Sequence, residues 1–244
     1  MRSAFLLVSF LFAAGAAHAG PAALTILHNN DGESALLPLD EPAGHGGIAR
    51  AVTAVELLRS LALDDGRDVL VLSSGDNFLA GLVREASTRD TIDYDARALA
   101  AIGYDAIALG NHDFDFGPAA LAAFIGYAEG GKAVLAEVPF LAANLDVAGE
   151  PALAALAADG RLVASTVVRR GDDAYGVIGG ITERLPAISS PGAVAVGDFA
   201  AAVRAEVAAL ADAGVDKTIL VSHLQGLARE IGRASCRERV CVGV

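Results

Sequence analysis

Gly110-Asn111-His112-Asp113-Phe114-Asp115 follows directly on the apolar run at 106–109. Folding rarely demands a strand that ends by presenting Asn, His and Asp together, because such groups are costly to bury unless each finds a hydrogen bond. The pattern occurs twice more upstream. Leu24-Thr25-Ile26-Leu27 runs into His28-Asn29-Asn30-Asp31-Gly32-Glu33, and Val69-Leu70-Val71-Leu72 runs into Ser73-Ser74-Gly75-Asp76-Asn77. Apolar strands that each end in a loop bearing a hard oxygen donor point to a metal site.

Around these strand ends the chain alternates between strand and helix signals. The first strand is expected at about 23–29, followed by a loop rich in Pro and acid at 36–43. Gly46-Gly47 opens a helix in which Ile48, Ala51, Val52, Val55, Leu57 and Leu58 fall at roughly helical spacing. Further strands are expected at 68–73, 104–109 and 138–143, the last ending in Asn144-Leu145-Asp146. Helices are expected at 94–102, stopping at Gly103, and from Pro118 to about 127. Segments 164–169 and 175–180 flank Gly171-Asp172-Asp173 as an antiparallel hairpin. An Ala-rich helix at 199–213 closes at Gly214, and a last strand at 217–221 ends in Ser222-His223. There is no internal repeat and no linker that demands a second domain. The alternation predicts an α/β layered fold with ligands at the carboxyl ends of the strands.

The 244 residues are 54% hydrophobic with 27 Gly, enough for one sizeable core. Both ends stand apart from this body. Residues 1–19 read as an export signal: a basic start at Met1-Arg2-Ser3, an apolar stretch at 4–14 and the small-x-small site Ala17-His18-Ala19. The apolar run falls short of the ~20 residues a spanning helix needs, and no later segment looks transmembrane. The mature protein is therefore expected to be exported, periplasmic or extracellular, with no membrane span. At the other end, Glu230-Ile231-Gly232-Arg233-Ala234-Ser235-Cys236-Arg237-Glu238-Arg239-Val240 breaks the Ala/Val/Leu/Asp texture. Back-translated, it matches one frame of a common short-read sequencing adapter. Residues 20–229 are thus expected to be the native domain, and 230–244 read-through on a fragmentary gene. Both Cys, 236 and 241, lie in that tail, so no disulfide framework is expected. The formal charge is −12. Setting aside Arg2 and the tail, whose three Arg exceed its two Glu by one, leaves −14. Such acidity argues against nucleic acid as a partner. It leaves room for a small phosphorylated substrate, because bound divalent cations reverse the local field.

In order and placement, Gly110-Asn111-His112-Asp113-Phe114-Asp115, Ser74-Gly75-Asp76-Asn77 and Leu27-His28-Asn29-Asn30-Asp31 resemble the calcineurin-like metallophosphoesterases, specifically the secreted 5′-nucleotidase branch. The resemblance covers roughly 24–226. It implies a layered β-sandwich flanked by helices, here cut short at its C-terminal end, and a metal-dependent phosphoester hydrolase using two divalent ions (Mn, Zn, Mg or Ca). Such a pair holds a phosphoryl oxygen and a bridging hydroxide for in-line attack. By carry-over, Asp31 would bind the first ion, Asp76 would bridge both, and Asn111 and His223 would bind the second. His112 would face the substrate and assist the leaving group, oriented by Asp115. The substrate would be a nucleotide or a related phosphate ester. Many relatives carry Asp-x-His on the first strand, whereas this chain has Asp31-Gly32-Glu33. As a ligand, Glu33 would supply an oxygen and favour Mn²⁺, Mg²⁺ or Ca²⁺ over Zn²⁺.

Each residue also has a structural alternative. Asp31 suits a turn beside Asn30 and Gly32, Asp76 an N-cap, and His223 a satisfied core histidine. His28 is read as an ordinary alternate residue of its strand, Asn77 and Asp113 as structural supports, and Asn144 as either a site or a turn residue. In the family two further ligands follow the strand after the one bearing His223, and a separate C-terminal domain binds the base. Nothing after Gly226 matches either, so the 244-residue piece is expected to be nearly inactive. The competing class is a non-catalytic exported metal-binding or scaffold protein that keeps the fold.

Overall fold

The computed structural model describes residues 23–39, 44–224 and 238–243. The expected export signal at 1–19 and residues 230–237 of the tail lie outside the described residues. The principal elements, in chain order, are strand β1 (Leu24–Asn29), helix α1 (Ile48–Asp64), β2 (Asp68–Ser73), α2 (Leu82–Asp90), α3 (Tyr94–Ile102), β3 (Ala106–Ala108) and α4 (Pro118–Gly126). A small hairpin, β4 (Ala128–Glu129) and β5 (Lys132–Ala133), leads to β6 (Phe140–Leu141), β7 (Leu145–Asp146), α5 (Pro151–Ala158) and β8 (Leu162–Val163). The chain continues through β9 (Ser165–Arg170), β10 (Asp173–Ile181), α6 (Leu185–Ile188), β11 (Ala195–Val196), α7 (Phe199–Asp212), β12 (Lys217–His223) and β13 (Glu238–Gly243).

The strands form two main sheets. The first is five-stranded, in the order β1-β2-β3-β6-β8, with every pairing parallel. The second runs β13-β12-β10-β9, with β10 and β12 parallel and the outer pairs antiparallel. The burial of β2 explains the layering. Val69 and Val71 face one core with α3, α4 and α5, while Leu70 and Leu72 face a second core with Tyr175, Val177, Ile219 and Val221 of the other sheet. A strand buried on both faces reads as a continuous apolar run, as this one does. A third cluster, Ile178, Leu210 and Val215, seats α7 on the far side of the second sheet. The result is a β-sandwich with helices outside both sheets, the α/β layered fold expected from the alternation and the sandwich that the family resemblance implies. Gly179 lets the sheets approach, since a Cβ there would overlap Leu141.

Several local expectations hold for the reasons given. α3 ends at Gly103 with φ 70°, and Pro118 occupies the first turn of α4. Others shift. The strand expected at 138–143 is paired only over Phe140–Leu141. Pro139 has no N–H to give a ladder, and Ala143 N donates instead to Gly179 O of the second sheet at 2.9 Å. Helices α2 and α5 are absent from the sequence reading. Leu-Val-Arg-Glu-Ala-Ser-Thr-Arg-Asp is short and mostly polar, its apolar residues confined to Leu82, Val83 and Ala86, and the Ala-rich α5 has no periodic contrast. No helix among the described residues is long and apolar enough to cross a membrane.

Candidate metal centre

Parallel pairing sends the C-terminal ends of β1, β2 and β3 to one edge of the first sheet, and each passes directly into a loop. The β1 and β2 loops run side by side: Asp31 N donates to Gly75 O at 3.1 Å and Glu33 N to Asp76 O at 2.9 Å. The β3 loop closes over them. Gly110 N, Asp76 N and Asn77 N donate to the Asp113 carboxylate at 2.8, 3.3 and 3.2 Å. Asp113 is therefore the buried knot of the two loops, the supporting role expected for it. Burial and the neighbouring Asp76 raise its pKa, against the pull of the Gly110 and Asn77 amides and of His223. Asp113→Ala is expected to leave these buried donors unpaired and to cost about 3 kcal/mol in urea unfolding.

Asp76 is 2% exposed and His223 0%. Asp76 Oδ1 accepts from His112 N at 2.7 Å, leaving Oδ2 to face His223 Nε2 at 3.0 Å. The other ring nitrogen, His223 Nδ1, lies 2.7 Å from Ser74 O, a pure acceptor, so Nδ1 carries the hydrogen. Nε2 then meets two acceptors, Asp76 Oδ2 and Asn111 Oδ1, the latter at 3.1 Å. Acceptors that converge on one ring nitrogen need a positive centre between them, either a proton on Nε2 or a metal ion. Ligand atoms of Asp31, Asp76 and His223 all fall within 4.8 Å of one another. Oxygens plus one imidazole suit a divalent cation, and an ion binding there would displace the proton.

Beside this cluster, His112 Nδ1 lies 2.6 Å from Asp115 Oδ2, and Ser189 Oγ donates to Asp115 Oδ1 at 2.7 Å. Burial pulls the His112 pKa down. The hydrogen bond to Asp115 and the charges of Asp76, Asp115 and Glu33 outweigh this and raise it above the ordinary histidine value. Nδ1 is occupied by Asp115, which leaves the Nε2 edge of the part-exposed ring to face outward from this pair.

No family model matches the chain. A 5′-nucleotidase of Diplobatis ommata is 32% identical over 232 residues, which cover 89% of this chain and 36% of that protein. The crystal structure of a 5′-nucleotidase precursor from Thermus thermophilus matches with a TM-score of 0.68 at 31% identity, over 83% of this chain and 37% of that one. A calcineurin-like phosphoesterase of Bacillus subtilis shares the fold, with a TM-score of 0.64 at 18% identity, over 87% of this chain and 64% of that one. The chain belongs to the 5′-nucleotidase family and shares the fold of a calcineurin-like phosphoesterase. It spans about a third of the length of the curated relatives it matches.

The family implies divalent metal ions, and the donors gathered at the sheet edge fit them. Among the residues singled out in the sequence, this 5′-nucleotidase-family chain brings together Asp31, Asp76, Asn111 and His223, with His112 and Asp115 as a bonded pair alongside. Glu33 is exposed on the next turn and is not among the carboxylates that gather. Its charge acts instead on His112. Asn144 resolves toward structure: its amide donates to Ile181 O at 2.9 Å and its oxygen accepts from Ile181 N at 3.0 Å. Ser189, which donates to Asp115, is a neighbour of the pair that the sequence did not offer, a lone Ser far along the chain with no motif around it.

Proposed function

We propose that the gene product containing this chain is an exported, metal-dependent phosphoester hydrolase acting on nucleotides or related phosphate esters. The observation that carries the reading is the convergence of Asp31, Asp76, Asn111 and His223 beside an oriented His112. Asp31, Asp76, Asn111 and His223 would hold divalent metal, with Glu33 a further candidate ligand. The ions would supply Lewis-acid polarisation of a phosphoryl oxygen and a water of lowered pKa. The chain's own groups do the rest. The β3 loop places the His112 ring beside the donor cluster, and Asp115, held by Ser189, fixes its tautomer. His112 Nε2 then carries a proton to the leaving oxygen. The leader-like residues 1–19 support export, and turnover is assigned to the longer gene product.

The test is phosphate release from 5′-AMP by that longer product. Activity is expected to vanish in EDTA, to return on adding Mn²⁺, and to be lost in Asn111→Ala. Undiminished turnover in EDTA, or in the Asn111 variant, would sink the reading. Tight Mn²⁺ binding without hydrolysis of any phosphate ester would move a binding protein ahead of it.

A further inference from the structure

The loops bearing Asp31 and Asp76 form a short ladder that continues one step further, Ser34 N to Asn77 O at 3.1 Å. Along it Asp31 (φ 51°), Glu33 (φ 45°), Ser34 (φ 56°) and Asp76 (φ 53°) all lie in the left-handed region, and none is glycine. Such a run persists only where surrounding contacts enforce it. Ser34 supplies the visible anchor. Its Oγ accepts from Leu79 N at 2.9 Å and lies 3.2 Å from Leu79 O and 3.1 Å from Asp95 Oδ2. Ser34 is 8% exposed and Asp95, in the first turn of α3, 1%.

Proton counting decides what this contact is. One hydroxyl hydrogen cannot serve two acceptors. With Asp95 ionised, Ser34 must choose between Leu79 O and Asp95 Oδ2, and a buried lone pair is left facing another. With a proton on Asp95 Oδ2, the acid donates to Ser34 Oγ and Ser34 donates to Leu79 O, so every contact is a hydrogen bond. The surroundings agree. Asp95 Oδ1 has no hydrogen-bond partner among the described residues. Burial raises the Asp95 pKa to about 6, with Asp93 adding to the rise and the Ser34 hydrogen bond and Arg84 opposing it, so the acid keeps its proton in mildly acidic solution.

We infer that Asp95 is a positioning residue: acting through Ser34, it holds the Asp31 loop in register with the Asp76 loop. The inference rests on the reading of those loops as metal carriers. Supporting groups behind ligands commonly set metal affinity by 10- to 100-fold.

The test uses the full chain with Mn²⁺ as the probe, titrated at pH 5.5, below the raised Asp95 value. Asp95→Asn places an amide N–H where the acid proton would be and is expected to bind within about threefold of the unsubstituted chain. Asp95→Ala is expected to bind roughly tenfold more weakly or worse. Hydrogen exchange of peptides covering 31–36, without metal, is expected to accelerate in Asp95→Ala and stay unchanged in Asp95→Asn. Asp95→Leu, which keeps the volume without the donor, is expected to behave like Asp95→Ala, and unsubstituted values there overturn the inference. Unchanged Mn²⁺ affinity or unchanged exchange in Asp95→Ala overturns the inference. If that variant does not fold, Ser34→Ala in the same assays takes its place, and unsubstituted values there overturn the inference equally. Asp31→Ala separates the two readings: if it binds Mn²⁺ like the unsubstituted chain, the metal reading fails, while hydrogen exchange still decides the role of Asp95.

Discussion

Gly110→Ala is expected to destabilise the domain by about 4 kcal/mol or more and to abolish Mn²⁺ binding together with the fold of the loops. A Cβ at Gly110 would overlap Asp76 Oδ1 and come within 2.6 Å of Asp76 N. Neither atom can yield. Asp76 Oδ1 already holds His112 N, and Asp76 N is tied to Asp113. The contact is reciprocal, because a Cβ at Gly75 would overlap Gly110 N and reach 2.7 Å from its Cα. Gly75 also has φ 97°, where a side chain is strained whatever the space. The β2 and β3 loops therefore touch backbone to backbone, and their glycines allow Asp76 and Asn111 to approach His223. Gly126, at the end of α4, has nothing within 4 Å of a built Cβ and no positive φ. Gly126→Ala should stay within about 1 kcal/mol of the unsubstituted chain, on the stabilising side. Chemical denaturation of the two variants distinguishes a site-specific clash from a general intolerance of added methyls.

This division between glycines was not legible in the sequence, although their neighbourhood was. The strand ends could be read because the mainly apolar residues 24–27 and the apolar run at 69–72 give way at once to polar residues, Asn29-Asn30-Asp31 and Ser73-Ser74-Gly75-Asp76. The period is short and the contrast sharp. The same holds for the β9–β10 hairpin around Gly171 and for α3 between its Asp93 cap and Gly103. Donor type carried the rest: Asp, Asn and His at equivalent strand ends suit a cation, and parallel pairing brings them to one edge. What failed to show were relations set by tertiary approach. Ser189 reaches Asp115 across 74 positions and Ser34 reaches Asp95 across 61, and neither pair has a spacing that announces it. The exposed placement of Glu33 depends on the backbone turning left-handed at 33, which the Asp-Gly-Glu string does not reveal.

His112→Ala is expected to lower kcat of the longer gene product by 10²- to 10⁴-fold, the usual range for a lost proton donor, with little change in Mn²⁺ affinity. The donor atoms gathered with Asp76 do not include the His112 ring, so removing it should leave metal binding intact; its backbone N–H, which holds Asp76 Oδ1, survives in alanine. The pH dependence follows from the environment. Burial favours the neutral ring, but the Asp115 hydrogen bond and the acidic charges around it win, so the imidazolium persists to higher pH than in free histidine. The sign follows from linkage. A group whose folded value is raised stabilises the fold fully below the unfolded value near 6.5 and loses that contribution as pH rises through the folded value. A leaving-group step that needs the protonated ring falls over the same interval. Asp115→Asn should therefore move the alkaline limb of kcat/KM to lower pH, and Ser189→Ala, which only loosens Asp115, should move it less. Bound cations would offset the charge of Asp76, and Asp115 and Glu33 would remain to raise the ring. A ring-proton NMR titration of His112 in the 244-residue chain reads the same shift without requiring turnover. An imidazole that titrates alike in Asp115→Asn and the unsubstituted chain would remove Asp115 from this role.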